Sequence, residues 1–259
     1  MIKIITGYSH IGGSTVALKN LAKEFLSRGI ECQLFGPHNW HLQFGSFCKP
    51  LNQLNVSPDD LLITHFINLE KPNAKKTILS CHEMWWFDFK QINKYYDKVQ
   101  FLTKKQADYH NTVDNYVFIP NVKEKINCNK TSDSINVAGV IGAIDERKNP
   151  VESIHKALQE GCRKVLLFGP VLNQEYFKSK ITPLLGPLVS YMGYQPKEVI
   201  YSSIDRVYHL SRGEVASLVK DECYTTGTIF IGNENTDNEV STMTNDEIIE
   251  LWMKELTSV

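Results

Sequence analysis

Ile2-Lys3-Ile4-Ile5-Thr6-Gly7-Tyr8-Ser9-His10-Ile11-Gly12-Gly13-Ser14 is the stretch that decides the fold. The apolar run Ile2–Thr6 stops at a glycine, as a buried strand does before a turn. Beyond the turn, Leu18, Leu21, Ala22, Phe25 and Leu26 recur at helical spacing between Ser14 and Arg28, and Gly29 supplies a C-terminal stop. Ile30–Phe35 is a second strand. Strand, glycine-bearing loop, helix and strand make the βαβ unit of a parallel sheet covered on both faces.

Working outward, Leu61–Thr64, Thr77–Ser80, Val99–Leu102 and Tyr116–Ile119 are further short strands, separated by helical or loop segments such as Lys104–Thr112. Ile119-Pro120-Asn121 interrupts the rhythm, and the chain stays polar to Ser134, as a linker does. A second round then starts: strand Asn136–Ile141, helix Pro150–Leu158, then strands Lys164–Phe168, Leu188–Tyr191 and Arg206–Leu210. Helix Ser217–Thr226, with Ser217 as N-cap and Gly227 as stop, strand Thr228–Ile231 and helix Asn245–Leu256 complete it. The expected architecture is α/β with two Rossmann-like domains, 1–122 and 123–259. The last helix, 245–257, either stays with the second domain or packs back on the first.

At 259 residues, 42% apolar and 22% charged, the chain is neither a disordered tail nor a disulfide mini-protein. Its net charge of -1 gives no overall attraction to nucleic acid or anionic lipid, and its halves carry +3 and -4. The six cysteines are scattered without a C-x-x-C pair, which disfavours a zinc knuckle and suits buried thiols. No apolar run approaches the roughly 18 residues that a bilayer requires. A cytoplasmic protein without a transmembrane segment is expected.

Several segments are candidates for chemistry. The first loop nearly satisfies G-x-x-x-x-G-K-[ST], but Gly13 occupies the lysine position, so the loop lacks the amine that an ATPase needs. A glycine loop opening a helix suits close approach by an anion or a sugar. Glu214 and Glu222 lie eight residues apart across a predicted helix start, where the amides near Ser217 and Leu218 offer free N–H groups to a diphosphate. Arg147 and Lys148 stand at a strand-to-helix turn, a place suited to phosphate capture. His65 and His82 each end a predicted strand, and the aromatic stretch 84–89 offers stacking surfaces. No D-x-D occurs, which disfavours chelation of a divalent ion by paired aspartates.

Taken in order, these segments resemble the GT-B glycosyltransferases, specifically the retaining family 4 (glycosyl transferases group 1), almost end to end. Gly12-Gly13-Ser14 leading to Arg28-Gly29-Ile30-Glu31 looks like the family's G-G…R-G-H-E-V, and Ser80-Cys81-His82-Glu83 like its T-x-H-D. Phe118-Ile119-Pro120-Asn121-Val122 is similar to V-I-P-N-G-V, and the segment from Ile141 to Asn149 to G-R-x-x-x-x-K-G. Val189-Ser190-Tyr191-Met192-Gly193 resembles V-x-F-x-G, and Ile204–Ser211 resembles A-D-V-x-x-x-P-S, after which Glu214 and Glu222 take the E-x₇-E positions. Two departures stand out: Ala143 replaces the family arginine, and Val215-Ala216-Ser217 replaces Gly-Phe-Gly.

The resemblance implies a compact GT-B pair of domains facing each other across a cleft. It implies transfer of a sugar from a nucleotide diphosphate sugar (UDP- or GDP-linked) to an acceptor hydroxyl with retention, no metal, and no cofactor besides that donor. The acceptor stays open among saccharide, lipid-linked glycan, protein and modified nucleic acid. Glu214, His82 and Lys148 would be catalytic. Gly12, Gly13, Arg147, Lys148, Gly169, Tyr194, Glu214, Ser217, Leu218 and Glu222 would bind the donor: Lys148 on the β-phosphate with Arg147 standing in for the missing arginine, Glu214 on the transferred sugar, Glu222 on the ribose, and backbone near Tyr194 at the base. Competing readings are a non-catalytic nucleotide-sugar binding module, and another GT-B enzyme such as an epimerase or phosphorylase.

Overall fold

The computed structural model describes residues 1–9, 12–67, 72–82, 95–110, 113–236 and 240–258. The chain divides into two compact units, Met1–Val122 with Ser241–Val259, and Lys123–Val240.

The first unit is built on a parallel sheet of β1 (Ile2–Thr6), β2 (Cys32–Gly36), β3 (Cys48–Pro50), β4 (Leu61–His65), β5 (Lys76–Cys81), β6 (Lys98–Phe101) and β7 (Tyr116–Phe118), in the order β3-β2-β1-β4-β5-β6-β7. Strand alternation divides its apolar residues between two faces. Ile2, Ile4, Ile63 and Ile78 pack under helix α1 (Gly13–Ser27) through Leu18, Leu21 and Phe25. On the other face Ile5, Phe35 and Leu62 form one cluster, and Leu79, Cys81, Val99 and Phe101 another. Short helices α2 (His38–Phe44) and α3 (Lys104–Tyr109) are further α-helices of this unit before the linker.

The second unit carries β8 (Val137–Ile141), β9 (Lys164–Phe168), β10 (Val189–Gly193), β11 (Arg206–His209) and β12 (Ile229–Gly232), ordered β10-β9-β8-β11-β12 and parallel throughout. Helix α4 (Pro150–Gln159) covers Ala138, Val140, Val165 and Leu167 with Ile154 and Ala157. Val137, Leu166, Phe168 and Val207 pack on the opposite side against α5 (Lys197–Ser203) and α6 (Leu218–Thr226), through Ile200, Tyr201 and Cys223.

The last helix, α7 (Asn245–Thr257), starts at a capping box in which Thr244 and Glu247 satisfy each other's main-chain N–H groups. It belongs to the first unit: Ile248, Ile249, Trp252 and Leu256 join the cluster under α1, and Glu255 pairs with Lys98. Of the two expected placements of this helix, the one on the first domain is observed, because α7 buries its apolar stripe on the first sheet.

All six cysteines are free thiols, and burial pushes Cys32 up to about 12. Among the described residues no helix is long and apolar enough to cross a membrane.

Candidate functional site

An open parallel sheet presents ligand-binding loops at the carboxyl ends of its strands, where the strand order reverses. In the first unit that reversal lies between β1 and β4, and in the second between β8 and β11. Most residues singled out from the sequence fall at one of these two edges.

In the second unit, the loops after β8 and β11 are laced together. The main-chain N–H of Arg212 donates to the carbonyl of Arg147 at 2.9 Å, and the Ser211 hydroxyl donates to the same carbonyl at 3.3 Å. Asn149 Nδ2 reaches the Leu210 carbonyl at 3.3 Å, and Asp145 accepts the Lys148 main-chain N–H at 2.8 Å. This lacing sets Lys148 against Glu214, whose ammonium and carboxylate form an ion pair. His209, the last residue of β11, brings Nε2 to 3.0 Å from the same carboxylate oxygen, Oε1. An ionised carboxylate only accepts, so Nε2 is the donor. Glu214 is 13% exposed and His209 only 3%. Burial works against the carboxylate's charge, but the His209 hydrogen bond and the Lys148 ammonium outweigh it and hold Glu214 down at about 2.

Glycines floor this edge. Gly142, Gly169 and Gly193 follow or end β8, β9 and β10, all with positive φ. A Cβ at Gly169 would lie 1.9 Å from the Gly142 carbonyl oxygen, so Gly169 is fixed by backbone packing. The aliphatic stem of Lys148 passes 3.8 Å from where a Gly142 Cβ would stand. Tyr194, just beyond β10, is 78% exposed.

Glu222 sits in a second cluster. Its Oε1 accepts from Lys197 Nζ at 2.6 Å and its Oε2 from the Tyr201 hydroxyl at 2.7 Å, while Lys197 also pairs with Glu124. Burial lowers the Lys197 ammonium, but Glu222 and Glu124 prevail and raise it. Burial and the Glu222 charge push the Tyr201 phenol well up. Both oxygens expected on the ribose are thus engaged by side chains of this unit. Ser217 caps α6, its hydroxyl accepting the Lys220 N–H at 3.3 Å, and Leu218 begins the helix. First-turn amides there point outward, as at any helix start. Arg147 is exposed and meets the neighbouring loop through its carbonyl, whereas the Arg212 guanidinium pairs with Glu146 at 2.9 Å.

Among the described residues the first unit's edge is uncharged by comparison. Gly12 caps α1 without a side chain; its N–H donates to Thr15 Oγ1 at 2.7 Å, and the Thr15 hydroxyl donates to the Gly12 carbonyl. A Cβ at Gly12 or Gly13 would meet nothing within 4 Å, whereas one at Gly7 would come 2.4 Å from the Phe66 carbonyl oxygen. The fold therefore demands glycine at 7 and leaves 12 and 13 facing open space. His65 ends β4, fully buried, with Nδ1 2.9 Å from Thr6 Oγ1. His82 directly follows β5, its ring 5.3 Å from that of His65 and its Nε2 3.0 Å from Ser80 Oγ. Residues 10–11 of the first loop, Glu83 and the aromatic stretch 84–89 lie outside the described residues.

The structure thus brings Lys148 and Glu214 together and sets Glu222 in a separate cluster. It adds His209, Lys197 and Tyr201, which sequence reasoning missed; the one available signal was His209 at a strand end, five residues before Glu214. A concavity of about 540 Å³ lies away from these edges, lined by Thr131, Asp133, Glu198 and Ser202 among others, and holds none of the expected residues.

No family model matches the chain, and no curated protein matches it in sequence. Solved structures do match in fold. Anabaena HepE, solved in complex with UDP and glucose, superposes with a TM-score of 0.66 at 14% identity, over 91% of this chain and 81% of HepE. AviGT4, a glycosyltransferase involved in avilamycin A biosynthesis, gives 0.64 at 16% identity over 96% and 87%. WaaG, a glycosyltransferase involved in lipopolysaccharide biosynthesis, gives 0.61 at 12% over 100% and 91%. The likeness is one of fold: an α/β chain of two parallel-sheet domains, as in the GT-B glycosyltransferases.

Proposed function

We propose that this protein transfers a sugar from a nucleotide diphosphate sugar to an acceptor hydroxyl, as a retaining, metal-independent enzyme of the family 4 type. The observation that carries the reading is the Lys148–Glu214–His209 cluster at the strand-order reversal of the second unit. HepE, which shares the fold, was solved with UDP-glucose.

In this reading the diphosphate lies over Gly142 and Gly169, toward the start of α6, and takes the Lys148 ammonium. Lys148 then turns from Glu214 to phosphate. A largely buried carboxylate stripped of the Lys148 cation would be costly. The His209 donor keeps Glu214 solvated by protein, and in this reading its carboxylate turns to hydroxyls of the transferred sugar. As the bond from the sugar's anomeric carbon to the phosphate oxygen breaks, negative charge grows on the diphosphate. The Lys148 ammonium meets that charge, so in this reading no metal is needed. The acceptor oxygen bonds to the anomeric carbon on the face the diphosphate leaves, and a departing phosphate oxygen takes the acceptor's proton. In the first unit, Gly12 and Gly13 give a bound group close access to backbone, and His82 is assigned as a hydrogen-bonding group for the reacting sugar. Glu222 would meet the ribose by exchanging a hydrogen bond from Lys197 or Tyr201 for one from a hydroxyl.

Turnover of UDP-glucose, UDP-N-acetylglucosamine and GDP-mannose, followed by nucleotide release, tests the reading. Wild-type protein should release nucleotide from at least one donor, and Glu214→Ala should lower that rate by roughly 10²–10³, the usual cost of removing one preorganised group. Binding of a donor with no release under any condition would favour the binding-module reading instead. Equal rates in wild type, Glu214→Ala and Lys148→Ala would remove these residues from the reaction.

A further inference from the structure

The loop that carries Glu214 is held from α4 by two side chains that grip a single residue. Ser153, fully buried in α4, accepts the main-chain N–H of Leu210 on its hydroxyl oxygen at 3.2 Å and donates its one hydrogen to the Asn149 carbonyl at 3.3 Å. Asn149 Nδ2 donates to the Leu210 carbonyl at 3.3 Å and also to the Glu152 carboxylate. Both of these partners only accept, so turning the amide round would set oxygen against oxygen, and its orientation is defined. Leu210 is buried and directly follows His209 at the end of β11. The peptide groups on both sides of Leu210 are thereby fixed, and the next two residues, Ser211 and Arg212, are fixed on the Arg147 carbonyl.

Asn149 holds an uncommon backbone in doing so. Its φ of 51° and ψ of 49° are left-handed, a region that favours glycine, and Pro150 pushes the residue before it toward extended backbone. Asparagine is a favoured N-cap, and Asn149 stands at the N-cap of α4, yet its side chain makes no capping hydrogen bond there. The strained conformation serves the neighbouring loop instead of the helix that it starts. We infer that Asn149 and Ser153 are positioning residues: by clamping Leu210 from α4 they hold His209 and Glu214 in register with Lys148, the residue before Asn149. One turn of backbone then supplies both the cation and the clamp, so the geometry of the ion pair is set from a single place. The consequence for chemistry rests on the transferase reading. Glu214 is aimed at the transferred sugar by α4 as well as by its own loop, while Lys148 keeps its separate tie to Asp145. Loosening the clamp therefore slows transfer and leaves donor affinity nearly unchanged.

Asn149→Gly is the deciding variant, because glycine keeps the left-handed backbone and removes only the side chain. Ser153→Ala opens the other half of the clamp. In ¹³C-labelled protein the Glu214 carboxyl signal, identified as the one that Glu214→Gln removes, reports the positioning without any substrate. The wild-type carboxyl should titrate at about 2, and in each clamp variant the midpoint should rise toward 4.5. Donor turnover should fall about tenfold in each variant with KM nearly unchanged. In a Glu214→Ala background Asn149→Gly should cost little more, because its effect passes through Glu214. Residues that served only to stabilise α4 would lower the melting temperature and leave the Glu214 midpoint where it is. A folded Asn149→Gly variant with the wild-type midpoint therefore overturns the inference, whether or not it melts earlier. Failure of the transferase reading would appear as absent turnover in wild type and would leave the titrations as stated.

Discussion

At the end of β11 a buried histidine binds a carboxylate that also holds an ammonium; at the end of β5 a histidine binds a serine that holds a glutamine. The two sheets share parallel topology and a reversal of strand order, yet among the described residues their edges differ in charge. The second unit gathers Lys148, Glu214, Glu222 and Lys197 close to its loops, while the first offers glycines, hydroxyls, an amide and imidazoles. Charge in a buried setting is tolerated only when paired, and the second edge pairs Glu214 with Lys148 and Glu222 with Lys197. Under the transferase reading the second edge takes the diphosphate through Lys148 and hydroxyls of the transferred sugar through Glu214.

The sharpest way to break that comparison is to remove the Lys148 cation that pairs with Glu214. Lys148→Ala should cost roughly 10²–10³ in donor turnover, measured as nucleotide release, and an equal loss from a neutral first-unit variant such as Gly12→Ala would erase the distinction. Next comes the glycine floor. Gly169→Ala forces a Cβ to 1.9 Å from the Gly142 oxygen at φ +136, and should destabilise the fold by roughly 3 kcal/mol in urea unfolding.

Acid titration probes the charged edge with its sign defined. Glu214 is lowered from 4.5 to about 2 in the folded chain, so its contribution is present above about pH 4.5 and is lost as pH falls toward 2. The full shift corresponds to roughly 3 kcal/mol. Glu214→Gln should flatten stability across that window, whereas an unchanged slope would mean that Glu214 is not held by Lys148 and His209. Asp221, raised by burial to about 6, acts oppositely: stability is lost as pH rises from 3.8 through 6, and Asp221→Asn should recover it at neutral pH. The smallest effect belongs to the open loop. Gly12→Ala should alter stability by less than about 0.5 kcal/mol, while Gly7→Ala, with its Cβ 2.4 Å from the Phe66 oxygen, should cost roughly 1–3 kcal/mol. Thermal melts of the pair would distinguish a glycine that the fold needs from one that it leaves open.

Local signals carried most of the architecture. Ile2–Thr6 and Lys164–Phe168 are strands over the expected residues, and Ser217 and Gly227 bound α6 because capping chemistry is written in adjacent positions. Short elements were not legible. Helix His38–Phe44 has too few turns to show a period, and β3 is three residues ending in proline at a sheet edge. At the site, Glu214 and Lys148 could be named from spacing and resemblance, but their facing each other depends on main-chain bonds between loops some 60 residues apart, such as Asn149 to Leu210. Lys197 and Tyr201 bind Glu222 from a helix 20-odd residues upstream that carries no distinctive pattern. Arg147 was expected to supply a cation to the diphosphate; sequence gives its charge but not that its carbonyl, rather than its guanidinium, ties into the adjoining loop.

The central claim is that the second sheet's carboxyl edge binds a pyrophosphate through Lys148. A crystal structure of the protein grown with UDP tests it most directly. The account predicts diphosphate density over Gly142 and Gly169, with Lys148 Nζ turned from Glu214 onto a phosphate oxygen and His209 still on Glu214. UDP bound elsewhere, or that edge empty at saturating UDP with Lys148 still paired to Glu214, would contradict it.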